Sequence, residues 1–133
     1  MYAEMRRRAR AGEPIRTWGG REYYCEEPQL IGGRLKEFDY KMVNVLIQGS
    51  AADCTKEAII RFHEAKHKDT KIILNVHDQI TASTPKKIFK KEMEVLRKTM
   101  ESVEFDVPIL SEGDTSTTNW DELKSYDQKG KIL

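Results

Sequence analysis

Residues 71–79, KIILNVHDQ, read as a strand that ends in three polar residues. Ile72, Ile73, Leu74 and Val76 are β-branched or bulky, which predicts a buried strand delivering His77 and Asp78 to its C-terminal edge. Residues 80–84 supply β-formers on the other side of the same turn, so the two runs pair back as a hairpin with Val76-His77-Asp78-Gln79 at the tip. An aspartate at such a strand end is placed to hold a metal ion. The same residues serve equally as a polar turn joining two strands, and the stretch alone leaves both readings open.

Toward the C-terminus, Thr84-Pro85 pairs a capping residue with proline at the first helical position. Phe89, Met93, Leu96 and Met100 recur at helical steps, so residues 85–101 read as an amphipathic helix with its lysines outside. Residues 105–110 read as a final strand entered from an acidic turn. Residues 114–119 form a polar tail, with Trp120 packing the end down.

Toward the N-terminus, Phe38, Val43, Leu46 and Ile47 begin a helical pattern that Ala51, Thr55, Ala58, Ile59, Phe62 and Ala65 continue. Gly49 and Ser50 fall between the two runs. They mark either a kink or a second helix capped by Ser50, and periodicity does not decide. Residues 26–36 contain Pro28, Gly32 and Gly33 and read as a loop. Residues 14–18 and 21–25 flank Gly19-Gly20, a two-residue turn tolerant of positive φ, which predicts a short hairpin with Arg16 and Arg21 near its tip. Residues 2–11 hold good helix formers and Gly12 stops them. This helix lacks a capped start and reads as cut from something longer. The order helix, hairpin, helices, hairpin, helix, strand is α+β with an antiparallel sheet.

A chain of 133 residues is long enough for one domain with a real core. Its 38% hydrophobic and 34% charged residues suit a soluble intracellular protein, and the expected location is the cytoplasm. No run approaches the ~18 apolar residues of a membrane span. Two cysteines, Cys25 and Cys54, make neither a disulfide framework nor a four-ligand zinc site. The net charge of +1 hides a basic N-terminal end, where Arg6, Arg7, Arg8, Arg10, Arg16 and Arg21 face only Glu4 and Glu13. Such a cluster contacts phosphate or forms a solvated face.

His63-Glu64-Ala65-Lys66-His67 fits H-E-x-x-H, the helical zinc signature. Lys66 and Lys68 crowd it with positive charge, His77 is the one other histidine, and the helix is expected to end by Asp69, so a metalloprotease is disfavoured. The glycine pairs lack a phosphate-loop context, and Ser50 lacks the G-x-S-x-G elbow. Asn44 and Gln48, four apart, project amides from one helical face. Amides carry both donors and acceptors, the chemistry suited to minor-groove base edges.

Taken in order, these blocks resemble the C-terminal palm region of family A DNA polymerases, the bacterial and phage group. The resemblance runs from about residue 2 to residue 123. It is carried by Thr17-Trp18-Gly19-Gly20-Arg21 followed by Pro28, by Asn44-x-x-x-Gln48-Gly49-Ser50-Ala51-Ala52-Asp53, by Val76-His77-Asp78, by Asp106-Val107-Pro108-Ile109 and by Asn119-Trp120-Asp121-Glu122. It implies a palm-type antiparallel hairpin packed on helices over residues 1–124, with 125–133 a polar tail. It further implies template-directed nucleotidyl transfer from deoxynucleoside triphosphates onto primer–template DNA, in replication or repair, with two Mg²⁺ ions.

By the same transfer, Asp78 is the catalytic and metal-binding carboxylate and His77 contacts the primer terminus. Asn44 and Gln48 touch the duplex minor groove, and Arg16 and Arg21 are weaker candidates for phosphate. Three departures qualify the match. Gln79 stands where the family's V-H-D-E has a second acid. Arg21-Glu22 stands for a basic pair, and Tyr40 precedes Asn44 where a basic residue is frequent. The first acidic strand and the nucleotide-gripping fingers helix of the family have no counterpart here. The expectation is a truncated or split polymerase that needs an upstream fragment. The alternative is a non-catalytic DNA-binding remnant.

Overall fold

Among the described residues each strand pairs antiparallel with its neighbour in sequence, giving four two-stranded pairs strung between helices. The structure is a computed structural model and describes residues 1–105 and 107–126. The mixture of helices and antiparallel strands is α+β. Among the described residues the sheets stay two-stranded and do not merge into a larger one. Two compact units divide the chain, Met1–Cys54 and Thr55–Leu133.

In the first unit, helix α1 (Tyr2–Ala11) ends at Gly12, whose φ of 66° is left-handed. Gly12 N–H donates to Ala9 O and Glu13 N–H to Arg8 O, the paired bonds of a Schellman stop. The expected basic face is neutralised by acids both near and far in sequence. Arg7 and Arg8 pair with Glu4, Arg7 also with Glu13, Arg6 with Asp39, and Arg10 with Glu37. Hydrogen bonds from Arg7 and Arg8 bring the Glu4 carboxyl down to about 2. Met5 turns inward and packs with Ile15, Met42 and Val43, flanked by Ala9, Tyr23, Cys25, Val45 and Leu46. Burial raises the Cys25 thiol above its ordinary value, as expected for an inert packed cysteine.

Strands β1 (Ile15–Arg16) and β2 (Glu22–Tyr23) pair with Ile15 opposite Tyr23 and Arg16 opposite Glu22. The loop is not the expected two-residue turn. Gly20 N–H donates to Thr17 O, Thr17 N–H donates to Arg21 O, and Gly20 has φ 83°. This is the three-residue loop with a left-handed glycine bulge.

The segment expected to be a loop forms a second hairpin, β3 (Gln29–Ile31) with β4 (Arg34–Lys36). Gly32 and Gly33 both have positive φ, the two-residue turn whose twist matches paired strands. Pro28 precedes the first strand and so removes no donor from the ladder.

Helix α2 (Asp39–Ala65) then runs 27 residues without interruption, through Gly49 and Ser50 and across the boundary between units. Ser50 does not start a helix. Its hydroxyl donates back to Leu46 O, as mid-helix serines do.

The second unit continues α2 into β5 (Lys71–Val76), β6 (Gln79–Ser83), helix α3 (Phe89–Glu101), and the pair β7 (Gly113–Thr115) and β8 (Lys124–Tyr126) around a 3₁₀ turn at Trp120–Glu122. Phe62, Thr70, Ala58, Ile80, Val103 and Glu92 are buried. Arg61 ties α2 to the end of α3 by donating to Ser102 O and Oγ. Glu92 accepts from His67 N–H, and Thr70 shares a hydroxyl bond with Thr84.

Four expectations are corrected here. β5 is not a buried strand, since Ile73 is 64% exposed. The register shifts between Ile72 and Leu74, so Ile73 is the extra residue of a bulge that bends the ribbon. α3 starts at Phe89, not Pro85, because Thr84 spends its hydroxyl on Thr70 and residues 86–88 form a turn closed by Ile88 N–H on Pro85 O. Residues 107–110 form no strand, and Asp106 of that motif lies outside the described residues. Asp114 and Thr115 of the polar tail expected at 114–119 pair instead, together with Gly113, with residues 124–126, and Trp120 in the loop between them is 52% exposed. Of the tail at 125–133, residues 127–133 lie outside the described residues. No described helix is long and apolar enough to cross a membrane.

Candidate nucleic-acid interface and carboxylate turn

In the first unit, Met42 and Val43 take α2 into the core, which leaves Tyr40, Asn44, Ile47, Gln48 and Ala51 exposed along one stripe. Neither the Asn44 nor the Gln48 amide is engaged by another described side chain. Both keep their full donor and acceptor sets for a ligand. Lys41, next to the stripe, is taken up. Its ammonium lies 2.7 Å from Glu26 Oε1 and 4.5 Å from the Phe38 ring centre, and the Glu26 bond holds it above its ordinary value.

Behind this stripe the Thr17–Arg21 loop is latched to α2. Asp53, 7% exposed at its side chain, accepts from Thr17 Oγ1 and from Gly19 N–H at 3.0 Å, both on Oδ2. Its other oxygen, Oδ1, forms an ion pair with Arg21, 2.7 Å from Nε. Trp18 N–H donates to Ser50 Oγ, and Arg21 Nη2 donates to Gly49 O. The bonds from Thr17, then Gly19 and Arg21, hold the Asp53 carboxyl below the ordinary value against the opposing effect of burial.

The glycines are required by contact. A Cβ at Gly49 would lie 2.7 Å from Thr17 Cγ2, and one at Gly19 would lie 2.8 Å from Asp53 Cγ. This is why a glycine that costs a helix roughly 1 kcal/mol sits in the middle of α2.

Asp53 is the residue that sequence reasoning quoted without a role. The signal available was an acid beside two alanines in a helix, four residues after a helical glycine. Of the two candidate arginines, Arg21 sits in this latch. Arg16 lies on β1 and donates from Nε and Nη2 to Glu22 Oε1, so its charge is compensated by its cross-strand partner.

In the second unit the expected hairpin forms, and its ladder extends to the pair Val76 and Gln79, which narrows the tip to His77 and Asp78. Among the described residues His77 is the one non-glycine with positive φ, at 53°. Asn75 bridges the turn by donating from Nδ2 to Gln79 O at 3.0 Å and to His77 O at 3.4 Å. Asn75 was also missed. Its signal was a residue type depleted from strands sitting just before a turn.

His77, Asp78 and Gln79 are exposed, and no other described side chain occupies the Asp78 carboxylate. A free hard oxygen donor fits one ligand position of a magnesium ion, which takes one or two protein carboxylates and completes its shell with water and substrate phosphate. Among the described residues no three metal-binding side chains gather in one place.

The H-E-x-x-H string fails on geometry. α2 ends at Ala65, so His67 lies beyond the helix and the two histidines do not share a helical face. His67 Nδ1 instead accepts from Asp69 N–H.

The DNA polymerase I of Chloroflexus aurantiacus is 32% identical over 113 residues, covering 82% of this chain and 12% of that protein. The DNA polymerase DpoZ of Vibrio phage phiVC8 is 38% identical over 85 residues, 64% of this chain and 13% of that protein. The DNA polymerase I of Pseudomonas aeruginosa is 30% identical over 124 residues, 88% of this chain and 14% of that protein. The chain thus spans 12 to 14% of the length of these three relatives. No solved structure matches. The family model for DNA polymerase family A matches residues 1–122, and the chain belongs to that family.

Proposed function

We propose that this chain is the C-terminal palm portion of a DNA-directed DNA polymerase, spanning residues 1–124, and that it works in template-directed nucleotidyl transfer together with an upstream polymerase segment. In that reaction the primer 3′-oxygen attacks the α-phosphorus of a deoxynucleoside triphosphate. The new P–O bond forms as the bond to pyrophosphate breaks, and the hydroxyl proton leaves. The observation that carries the reading is the His77-Asp78 turn, where a backbone held at positive φ presents a carboxylate that no other described side chain engages. Backbone strain of this kind collects at functional sites.

Asp78 would supply one ligand to the magnesium pair, and the second carboxylate would come from the upstream segment. When bound, the metal ions supply positive charge to the attacking and leaving oxygens. His77 would meet the primer terminus. Asn44 and Gln48 would hydrogen-bond the minor-groove acceptors that recur in every base pair, which supports duplex recognition without sequence preference. Arg21 and, more weakly, Arg16 would add phosphate contacts.

Primer extension tests the reading. Synthesis is expected when the chain is combined with an upstream family A fragment in Mg²⁺, and not from the chain alone. Robust extension by the isolated chain overturns the fragment reading. Gln79 supports a second reading, a DNA-binding remnant. It stands where the family has a carboxylate and is exposed beside Asp78, adding no charge to the tip. Duplex binding without extension in every combination, unchanged by Asp78→Asn, favours the remnant.

A further inference from the structure

Asp53 divides its two oxygens between two tasks. Oδ2 takes both loop donors, Thr17 Oγ1 and Gly19 N–H, and Oδ1 takes Arg21 Nε. A neutral amide oxygen would suffice to latch the loop, since it accepts two hydrogen bonds. Only the Arg21 contact calls for the second oxygen and its charge.

The guanidinium geometry gives that contact a direction. Nε lies 2.7 Å from Asp53 Oδ1 in an ion pair and Nη2 donates to Gly49 O, so both nitrogens on that side of the planar group are engaged within the protein. The end-on edge, Nη1 with the second hydrogen of Nη2, makes no bond to another described residue. It belongs to a side chain that is 52% exposed. Gly49 directly follows Gln48 in α2, so Arg21 is bonded to the helix one residue from the amide stripe of the same unit. End-on, a guanidinium binds two oxygens of one phosphate.

We propose that Asp53 is a positioning residue for DNA, holding Arg21 so that its end-on edge grips a backbone phosphate of the duplex whose minor groove meets Asn44 and Gln48. The proposal rests on the DNA-polymerase reading above. It adds to that reading a buried acid that lies out of reach of DNA and acts through Arg21.

Asp53→Asn isolates the role. Its carbonyl oxygen can keep Thr17 and Gly19, while its NH₂ opposes Arg21 Nε–H and releases the guanidinium. The test is a double-mutant cycle of Asp53→Asn and Arg21→Gln, read as affinity of the full chain for a primer–template duplex over a range of salt. Arg21→Gln is expected to weaken binding roughly tenfold and to lower the salt slope by about one phosphate contact. Asp53→Asn is expected to weaken binding several-fold in the wild-type background and to have no further effect once Arg21 is Gln. Additive losses overturn the proposal, because a merely structural acid would act with or without Arg21.

NMR of the wild-type chain gives a second readout that does not depend on a folded Asp53→Asn variant. The Arg21 Nε–H resonance, assigned by its loss in Arg21→Gln, is expected to resist solvent exchange, and its Nη signals to shift when duplex is added. Rapid exchange, or Nη signals indifferent to duplex, overturns the proposal. Asn44→Ala with Gln48→Ala separates the two levels. If the wild type binds no duplex, or binds with no dependence on these amides, the DNA reading falls and the proposal with it. If binding depends on the amides while the cycle is additive, only the role of Asp53 falls.

Discussion

Asp53 and Asp78 come from the two most recognisable blocks of the sequence and occupy opposite surroundings. Asp53 is buried in a latch of three donors, two contact glycines and a serine that holds a second backbone N–H. Asp78 stands exposed on a two-residue tip where, among the described side chains, Asn75 alone braces the backbone. One acid is engaged by side chain and backbone within its unit, Arg21 among them, and the other is left open to a ligand. The difference predicts that substitutions at the two sites separate activity from stability.

The largest effect falls on the open acid. In the chain combined with an upstream fragment, Asp78→Asn is expected to lower the extension rate by about 10³-fold, the scale of removing one group that stabilises transition-state charge. The melting temperature of the isolated chain should barely move, because exposed side chains without partners contribute within about 0.5 kcal/mol. A large loss of stability with little loss of extension would reverse the assignment of the two acids.

At the latch the expectation inverts. Asp53→Ala loses bonds to Thr17, Gly19 and Arg21, but Arg21 is half exposed and can regain water, which limits the loss to about 1–3 kcal/mol by urea denaturation. The pH dependence follows from the direction of the shift. Asp53 titrates below its ordinary 3.8 in the fold, so its contribution is fully present above that value and is lost as the pH falls through the folded pKa. Stability of the wild type should therefore fall more steeply than that of Asp53→Asn when unfolding is measured from pH 5 downward, the difference opening as the pH drops below the ordinary 3.8.

Gly49→Ala sharpens the same comparison. Helix propensity alone predicts a gain of about 1 kcal/mol. The new methyl, however, would meet Thr17 Cγ2 at 2.7 Å, and Thr17 is buried with its hydroxyl committed to Asp53. Overpacking of this kind costs about 1–3 kcal/mol, so a net loss is expected in thermal unfolding. A gain would show that the loop yields and that the latch is slack.

These two regions also differ in how far the sequence exposed them. The β5–β6 hairpin and its His77-Asp78 tip could be read directly, because strand, turn and acid are contiguous and obey local rules. α1 and its glycine stop were legible for the same reason. Asn44 and Gln48 could be placed on one face by spacing alone. The latch could not, since Asp53 finds its partners 32 to 36 positions away and its local signal, two alanines and a helical glycine, does not name them.

The same blindness to long-range contact turned Gly49 into an expected break in α2, and let Thr84 pass for a cap when its hydroxyl is held by Thr70. The β3–β4 hairpin failed for another reason. Its strands are three residues long and all exposed, so they show no alternation for periodicity to detect, and Gly32-Gly33 was the one usable signal. The N-terminal arginines misled through composition. Their balancing acids Glu37 and Asp39 lie beyond the window that made the segment look basic.

The smallest expected effect probes why the open tip holds a histidine. At φ 53° a side chain other than glycine costs about 1–2 kcal/mol, and glycine removes that cost while losing roughly 0.5–1 kcal/mol to a freer unfolded chain. His77→Gly should therefore stabilise the chain by about 0.5 kcal/mol in urea denaturation, where every substitution at the latch destabilises it. If the imidazole meets the primer terminus, the same variant should weaken use of the primer by several-fold in the combined enzyme while leaving duplex binding by the Asn44 and Gln48 face unchanged. A variant that is both more stable and fully active would leave the strained histidine without a function at the tip. A variant that is less stable would mean that the imidazole itself braces the turn, which would bring the tip closer in kind to the latch.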